Sequence, residues 1–185
     1  MYWCKSKPFF VILTAVIFFI SVLTSCKQEA KETHETLTYF DLKGFFDRDS
    51  ARLAQLNKPV LKTVQHNGET ETKTVHIANW GLELSLFKQS DINRPAWKNS
   101  YKVQADSNFI IYIAKDPELR TKKILIRKVN GKIKWILIFN QNKNILYRTA
   151  EKLSYFPDSL YLIEKSQSVR FLGTNKYRIK GLFNQ

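Results

Sequence analysis

Thiols are almost missing from this chain. Its two cysteines are Cys4 and Cys26, beside one methionine, three histidines, six glycines and five prolines. So few cysteines exclude a disulfide framework, and no zinc-ligand spacing joins them to a histidine. Glycine is too scarce for a phosphate loop or a dinucleotide fingerprint. Gly173-Thr174-Asn175-Lys176 lacks the first glycine and the following helix that such a loop needs. His-Glu-x-x-His and Gly-x-Ser-x-Gly are also missing. The residues therefore point to a non-catalytic protein without metal or cofactor.

Negative charge is the second shortage. There are 30 Lys and Arg against 16 Asp and Glu, a net charge of +14. The excess is uneven. Residues 27–114 hold 12 basic and 11 acidic groups, whereas residues 115–185 hold 16 and 5. Such asymmetry draws anionic partners. In a cytosolic chain the first partner to consider would be nucleic acid.

The amino terminus argues against a cytosolic location and so against nucleic acid. Lys5 and Lys7 precede an apolar run from Pro8 to Val22, followed by Leu23, Thr24, Ser25 and Cys26. A positive start, an apolar middle and a small-residue end make a secretory signal peptide. The run is short for a membrane-spanning helix, which needs about 20 apolar residues. Leu23-Thr24-Ser25-Cys26 resembles the lipobox of bacterial lipoproteins. That resemblance implies cleavage after Ser25 and diacylglyceryl transfer to the Cys26 thiol, with acylation of the new amino group. Two or three chains on Cys26 would hold the protein on a membrane. The expected organisation is a signal peptide over 1–25, the lipidated Cys26 with a polar tether over 26–37, and one domain over 38–185. The expected location is the cell envelope, on the outer membrane.

Within the domain, Thr38 could cap a helix carrying Leu42, Phe45, Phe46, Leu53 and Leu56 on one stripe. Gly44 weakens it. A second helix fits Asn79 to about Gln89 and ends before Asn93-Arg94-Pro95. Asn67-Gly68 and Asn130-Gly131 predict two-residue hairpin turns, within residues 59–77 and between Lys123–Val129 and Lys132–Phe139. Simple pairing across the first turn sets His66 near Glu69 and leaves His76 far away, which argues against a two-histidine metal site. Further strands are expected at about 101–104, 109–114, 145–149, 152–156, 160–164, 168–172 and 176–183, the last two joined by Gly173-Thr174-Asn175.

Simple pairing across Asn130-Gly131 sets Ile126 against Trp135 and Arg127 against Lys134. One face then carries Ile124, Ile126, Ile133, Trp135, Leu137 and Phe139 and should be buried. The other carries Arg127, Lys132 and Lys134 with Leu125, Ile136 and Ile138. Like charges directly opposite destabilise a sheet, so Arg127, Lys132 and Lys134 are candidates for binding an anion.

The chain also resembles small lipoproteins of Bacteroidota whose function is not known. The resemblance lies in the lipobox, in Tyr39-Phe40-Asp41-Leu42-Lys43-Gly44-Phe45-Phe46, in Tyr155-Phe156-Pro157-Asp158-Ser159-Leu160-Tyr161 and in Gly173-Thr174-Asn175. It implies no activity, ligand or site residue. The expected fold is α+β: N-terminal helices packed on a curved, mostly antiparallel sheet of about eight strands, with a half-open barrel as one form of it. The expected function is a binding or scaffolding role at the membrane surface, with anionic lipid, lipopolysaccharide, a glycan or an envelope protein as partner. The alternatives are a carrier holding a hydrophobic ligand in the curved sheet and, further off, a hydrolase of envelope polymer.

Overall fold

The computed structural model describes residues 37–183. The expected signal peptide, Cys26 and the expected tether as far as Thr36 lie outside them.

Helix α1 spans Leu42–Leu56. Its cap is Asp41, not Thr38: the Asp41 carboxylate accepts the Gly44 N–H at 2.8 Å. Gly44 favours this start instead of weakening it, because a Cβ there would lie 2.0 Å from Asp41 Oδ2. At the other end Asn57 turns into the left-handed region and closes the helix onto Leu53. The expected second helix is two single turns, α2 over Trp80–Glu83 and α3 over Ser85–Lys88, broken at Leu84. A 3₁₀ turn follows at Pro95–Trp97.

Nine antiparallel strands make one sheet. They are β1 (Val60–His66), β2 (Glu69–Val75), β3 (Tyr101–Ala105), β4 (Phe109–Ala114), β5 (Thr121–Val129), β6 (Lys132–Lys143), β7 (Tyr147–Phe156), β8 (Leu160–Val169) and β9 (Gly173–Phe183). Their order is β2-β1-β9-β8-β7-β6-β5-β4-β3. From β3 to β9 the chain is a meander, and the β1–β2 hairpin adds to its far side against β9. The sheet is α+β in character and does not close, with β2 and β3 as its edges. Two pairs of expected strands are single long ones, β7 and β8, and Gly173-Thr174-Asn175 begins β9 instead of forming the turn. Both Asn-Gly turns form where expected, with positive φ at Asn67, Gly68, Asn130 and Gly131.

The register across Asn130-Gly131 differs from the simple one. Val129 pairs with Lys132 and Lys128 with Ile133, but Arg127 pairs with Trp135 and Ile126 with Ile136. Lys134 has no partner in this register. It is the extra residue of a β-bulge, and one extra residue turns every later side chain to the opposite face. The buried set is therefore Ile124, Ile126, Ile136 and Ile138, all within 1 % exposure. Trp135, Leu137 and Phe139 go to the other face with Leu125 and Arg127.

The helices pack on the first of these faces. Tyr155 lies at its centre, fully buried, with Phe46, Phe87 and Phe183 ring centroids 4.9, 5.7 and 6.3 Å away. Burying each such ring contributes about 1.5–3 kcal/mol. Two phenols fix the helices to the sheet by hydrogen bonds. Tyr155 donates to Asp49 of α1, which pairs with Arg52, and Tyr161 donates to Glu83 of α2, which pairs with Lys62. Burial, then the nearby carboxylates, raises both phenols far above their ordinary range, so they stay protonated donors. Rings thus fill the space between the helices and the sheet. What remains is a pocket of about 300 Å³ at the end of α1, walled by Leu53, Leu56, Val60, Trp80 and Phe183.

Candidate binding face

The second face of the sheet, opposite the helices, is covered by no described element. Strand alternation and register lay its side chains out in rows across the strands. One row runs Phe109, Arg127, Trp135. The next runs Ile111, Leu125, Leu137, Ser154, Leu162, Lys180 and Thr63. A third runs Ile113, Lys123, Phe139, Lys152, Glu164, Arg178 and Gln65. A fourth holds Gln141, Ala150, Ser166 and Lys176. The face is therefore apolar toward β4–β6 and cationic toward β7–β9.

Between the third and fourth rows lies an open trough of about 1080 Å³. Its walls include Phe139, Lys152, Glu164 and Arg178 on one side and Gln141, Ser166 and Lys176 on the other. Ala150 and Ser166 are small, which deepens it. The residues between the rows, Asn140, Glu151, Lys165 and Tyr177, send their side chains to the helix side and leave backbone as the floor. Lys122 stands at one end and Asn67-Gly68 at the other. Glu164 lies 3.7 Å from both Lys152 and Arg178. Lys122 and Lys176 have no carboxylate within salt-bridge distance among the described residues.

Beneath the floor the helix side is neutralised. Glu151 is buried, accepts from Arg120 at 2.8 Å and Asn140 at 3.3 Å, and lies 3.4 Å from Lys165. Burial would raise its carboxyl, but Arg120, Asn140 and Lys165 outweigh that and hold it below the usual range. Asn140 also donates to Ser90 at 2.8 Å. A general acid needs a raised carboxyl, and this one is shifted the other way.

The structure places the three expected anion-binding residues at the other end of the open face, by the Asn130-Gly131 turn. Arg127 does not oppose Lys134. It stands opposite Trp135 with its guanidinium 5.0 Å from the Phe109 ring centroid, an arrangement that uses its charge on an aromatic face. Lys132 pairs with Val129 and is exposed, and exposed Lys134 is the bulge residue. Sequence reasoning missed Lys152, Lys176 and Arg178. The alternation Lys176-x-Arg178-x-Lys180 was the available signal, since the strand expected at 176–183 already sets the three on one face.

His66 pairs with Glu69 and stacks on Tyr177 at 4.4 Å. Among the described residues there is no group of three or more His, Cys, Asp or Glu placed to hold a metal ion. No described helix is long and apolar enough to cross a membrane. No protein-family model, curated protein or solved structure matches the chain.

Proposed function

We propose that this is a cell-envelope lipoprotein, held by lipid on Cys26, that binds an anionic partner without converting it. The observation that carries the reading is the trough on the helix-free face, where Lys122, Lys152, Lys176 and Arg178 stand with Glu164, while Glu151 at the floor is already paired with Arg120 and Lys165. Oriented cations on a rigid sheet suit phosphate or carboxylate groups of lipid head groups, lipopolysaccharide or acidic glycans. The non-catalytic part is supported by the inward-facing carboxylates: buried Asp49 and Glu151 and half-buried Glu83 each hold a structural partner.

Two measurements test it. The first is metabolic labelling of the full chain with radioactive palmitate in a bacterial host. Wild-type protein should take up label and Cys26→Ser should not; label retained in that variant rejects the anchor. The second is titration of the detergent-solubilised full chain with dextran sulfate, a soluble polyanion. Replacing Lys152, Lys176 and Arg178 by Ser should weaken binding about tenfold at low salt, and raised salt should remove the difference. If the triple change Arg127→Ser, Lys132→Ser, Lys134→Ser weakens it instead, the partner sits at the hairpin end of the face.

The second reading is a carrier of a hydrophobic ligand. It is favoured by the apolar pocket at the end of α1, whose 300 Å³ is at the lower end of small-molecule sites. Native mass spectrometry of the purified chain discriminates the two, since a carrier retains a stoichiometric lipid.

A further inference from the structure

Two hairpin turns at one end of the sheet carry large apolar side chains into solvent. In the β6–β7 turn Ile145 is 83 % and Leu146 67 % exposed, and in the β8–β9 turn Phe171 is 92 % and Leu172 82 % exposed. The turns touch each other, because the Arg170 N–H donates to the Leu146 carbonyl at 2.9 Å. The β1–β2 turn braces them from the side, where Asn67 exchanges bonds with Lys176 and Asn175. The four apolar side chains therefore project from one joined tip.

None of them is needed to build it. The β6–β7 turn is held by Asn144, whose carboxamide oxygen accepts from the Leu146 and Tyr147 amides at 2.9 and 2.8 Å. The β8–β9 turn closes through Leu172 N–H on the Val169 carbonyl. Its residue with φ +70° is Phe171. That conformation suits Gly or Asn, and a bulky residue there is a marked exception. An aromatic ring that buries nothing and occupies unfavourable backbone points to a contact outside the chain.

The charge around the tip says what that is. Residues 140–150 and 165–183 contain no Asp or Glu, while Lys143, Arg148, Arg170 and Lys176 flank the two turns. The nearby carboxylates are Glu69, on the β1–β2 hairpin, which pairs with His66 in the strand register, and Glu118, which shares a surface pocket with Lys143, Ile145 and Arg148. Arg170 lies over the Phe171 ring at 5.1 Å. Apolar side chains at the apex with cations behind them match a bilayer, in which hydrocarbon lies beneath anionic head groups. A protein partner fits less well. Four side chains offer on the order of 600 Å², below the roughly 800 Å² per partner of a standard interface.

We propose that Ile145, Leu146, Phe171 and Leu172 insert into an anionic bilayer surface, with Lys143, Arg148, Arg170 and Lys176 on its head groups. The contact is separate from the lipid on Cys26 and fixes how the domain stands on the membrane. It brings the cationic trough, which lies next to the same end of the sheet, close to the head-group layer.

The test is hydrogen–deuterium exchange of the full chain reconstituted in vesicles of phosphatidylcholine alone and of phosphatidylcholine with phosphatidylglycerol. The amino-terminal segment is present in both, so failure of the anchor reading affects the two samples equally. Uptake at residues 144–147 and 170–173 should slow about threefold or more when phosphatidylglycerol is present. The variant Ile145→Ser, Leu146→Ser, Phe171→Ser, Leu172→Ser should show the same uptake in both. Equal uptake by the wild type in the two vesicles overturns the proposal. So does protection that appears without vesicles as protein concentration rises, which would assign the tip to a second copy.

Discussion

The ring of Tyr161 occupies the space over Gly181 on the neighbouring strand. The two residues pair in register, and a Cβ at position 181 would come 2.1 Å from Tyr161 Cε1. The ring has nowhere to go, since it is fully buried and its hydroxyl donates to Glu83. Gly181→Ala should therefore destabilise the domain by about 2–3 kcal/mol, read as a lower urea midpoint. A loss under about 0.5 kcal/mol would show that the ring can retreat.

The bulge at Lys134 makes opposite demands on two neighbours. Ile136 is fully buried beneath the helices, whereas Leu137 is half-buried on the open face. Ile136→Ala should cost about 3–4 kcal/mol and Leu137→Ala about 1 kcal/mol. The simple hairpin register predicts the reverse order, so one pair of denaturation curves decides between them.

Glu151 links stability to pH. Its folded carboxyl lies below the ordinary value of 4.5, held there against burial by Arg120, Asn140 and Lys165. The charged form therefore stabilises the fold fully above that ordinary value, and the contribution is lost as pH falls through the lower folded value. Glu151→Gln should be less stable than wild type by about 2 kcal/mol at pH 7. The gap should close in acid, as pH falls through the folded value. A gap that does not change with pH would assign the loss to shape and not to charge.

Phe171 should separate stability from membrane contact. Phe171→Asn places a residue that tolerates the left-handed region at φ +70° and removes no buried surface. The variant should be more stable by about 1 kcal/mol while losing protection by phosphatidylglycerol vesicles at the tip. A variant that loses stability would show the ring packs on something within the domain.

The α+β class, the first helix and both Asn-Gly hairpins were legible because each rests on a local signal. The apolar stripe of Leu42, Phe46 and Leu53 and the turns at Asn67 and Asn130 need no knowledge of neighbours. The face assignment of β6 was not legible, since one bulge at Lys134 reverses it and the surrounding residues alternate plausibly in either register. The long strands β7 and β8 were cut short for a related reason. Ala150-Glu151 and Lys165-Ser166-Gln167 interrupt the apolar pattern that marks a strand, and only pairing across the sheet keeps them in β7 and β8. Tyr39, Leu42, Phe46, Tyr155 and Tyr161 are all buried.

The placement of β9 between β8 and β1 sets an order of events for the nascent chain. Strands β3 to β8 can zip up in sequence as they emerge, each finding its partner in the strand just made. The β1–β2 hairpin is synthesised before any of them, yet its neighbour is the last strand. Until residues 173–183 are available it can pair only with itself, and Trp80 lacks its Phe183 contact. The sheet therefore completes after synthesis of its final strand, by a long-range closure that low contact order cannot speed. Under the proposed export to the envelope, this arrangement delays folding until synthesis ends, because the first hairpin waits for the last residues.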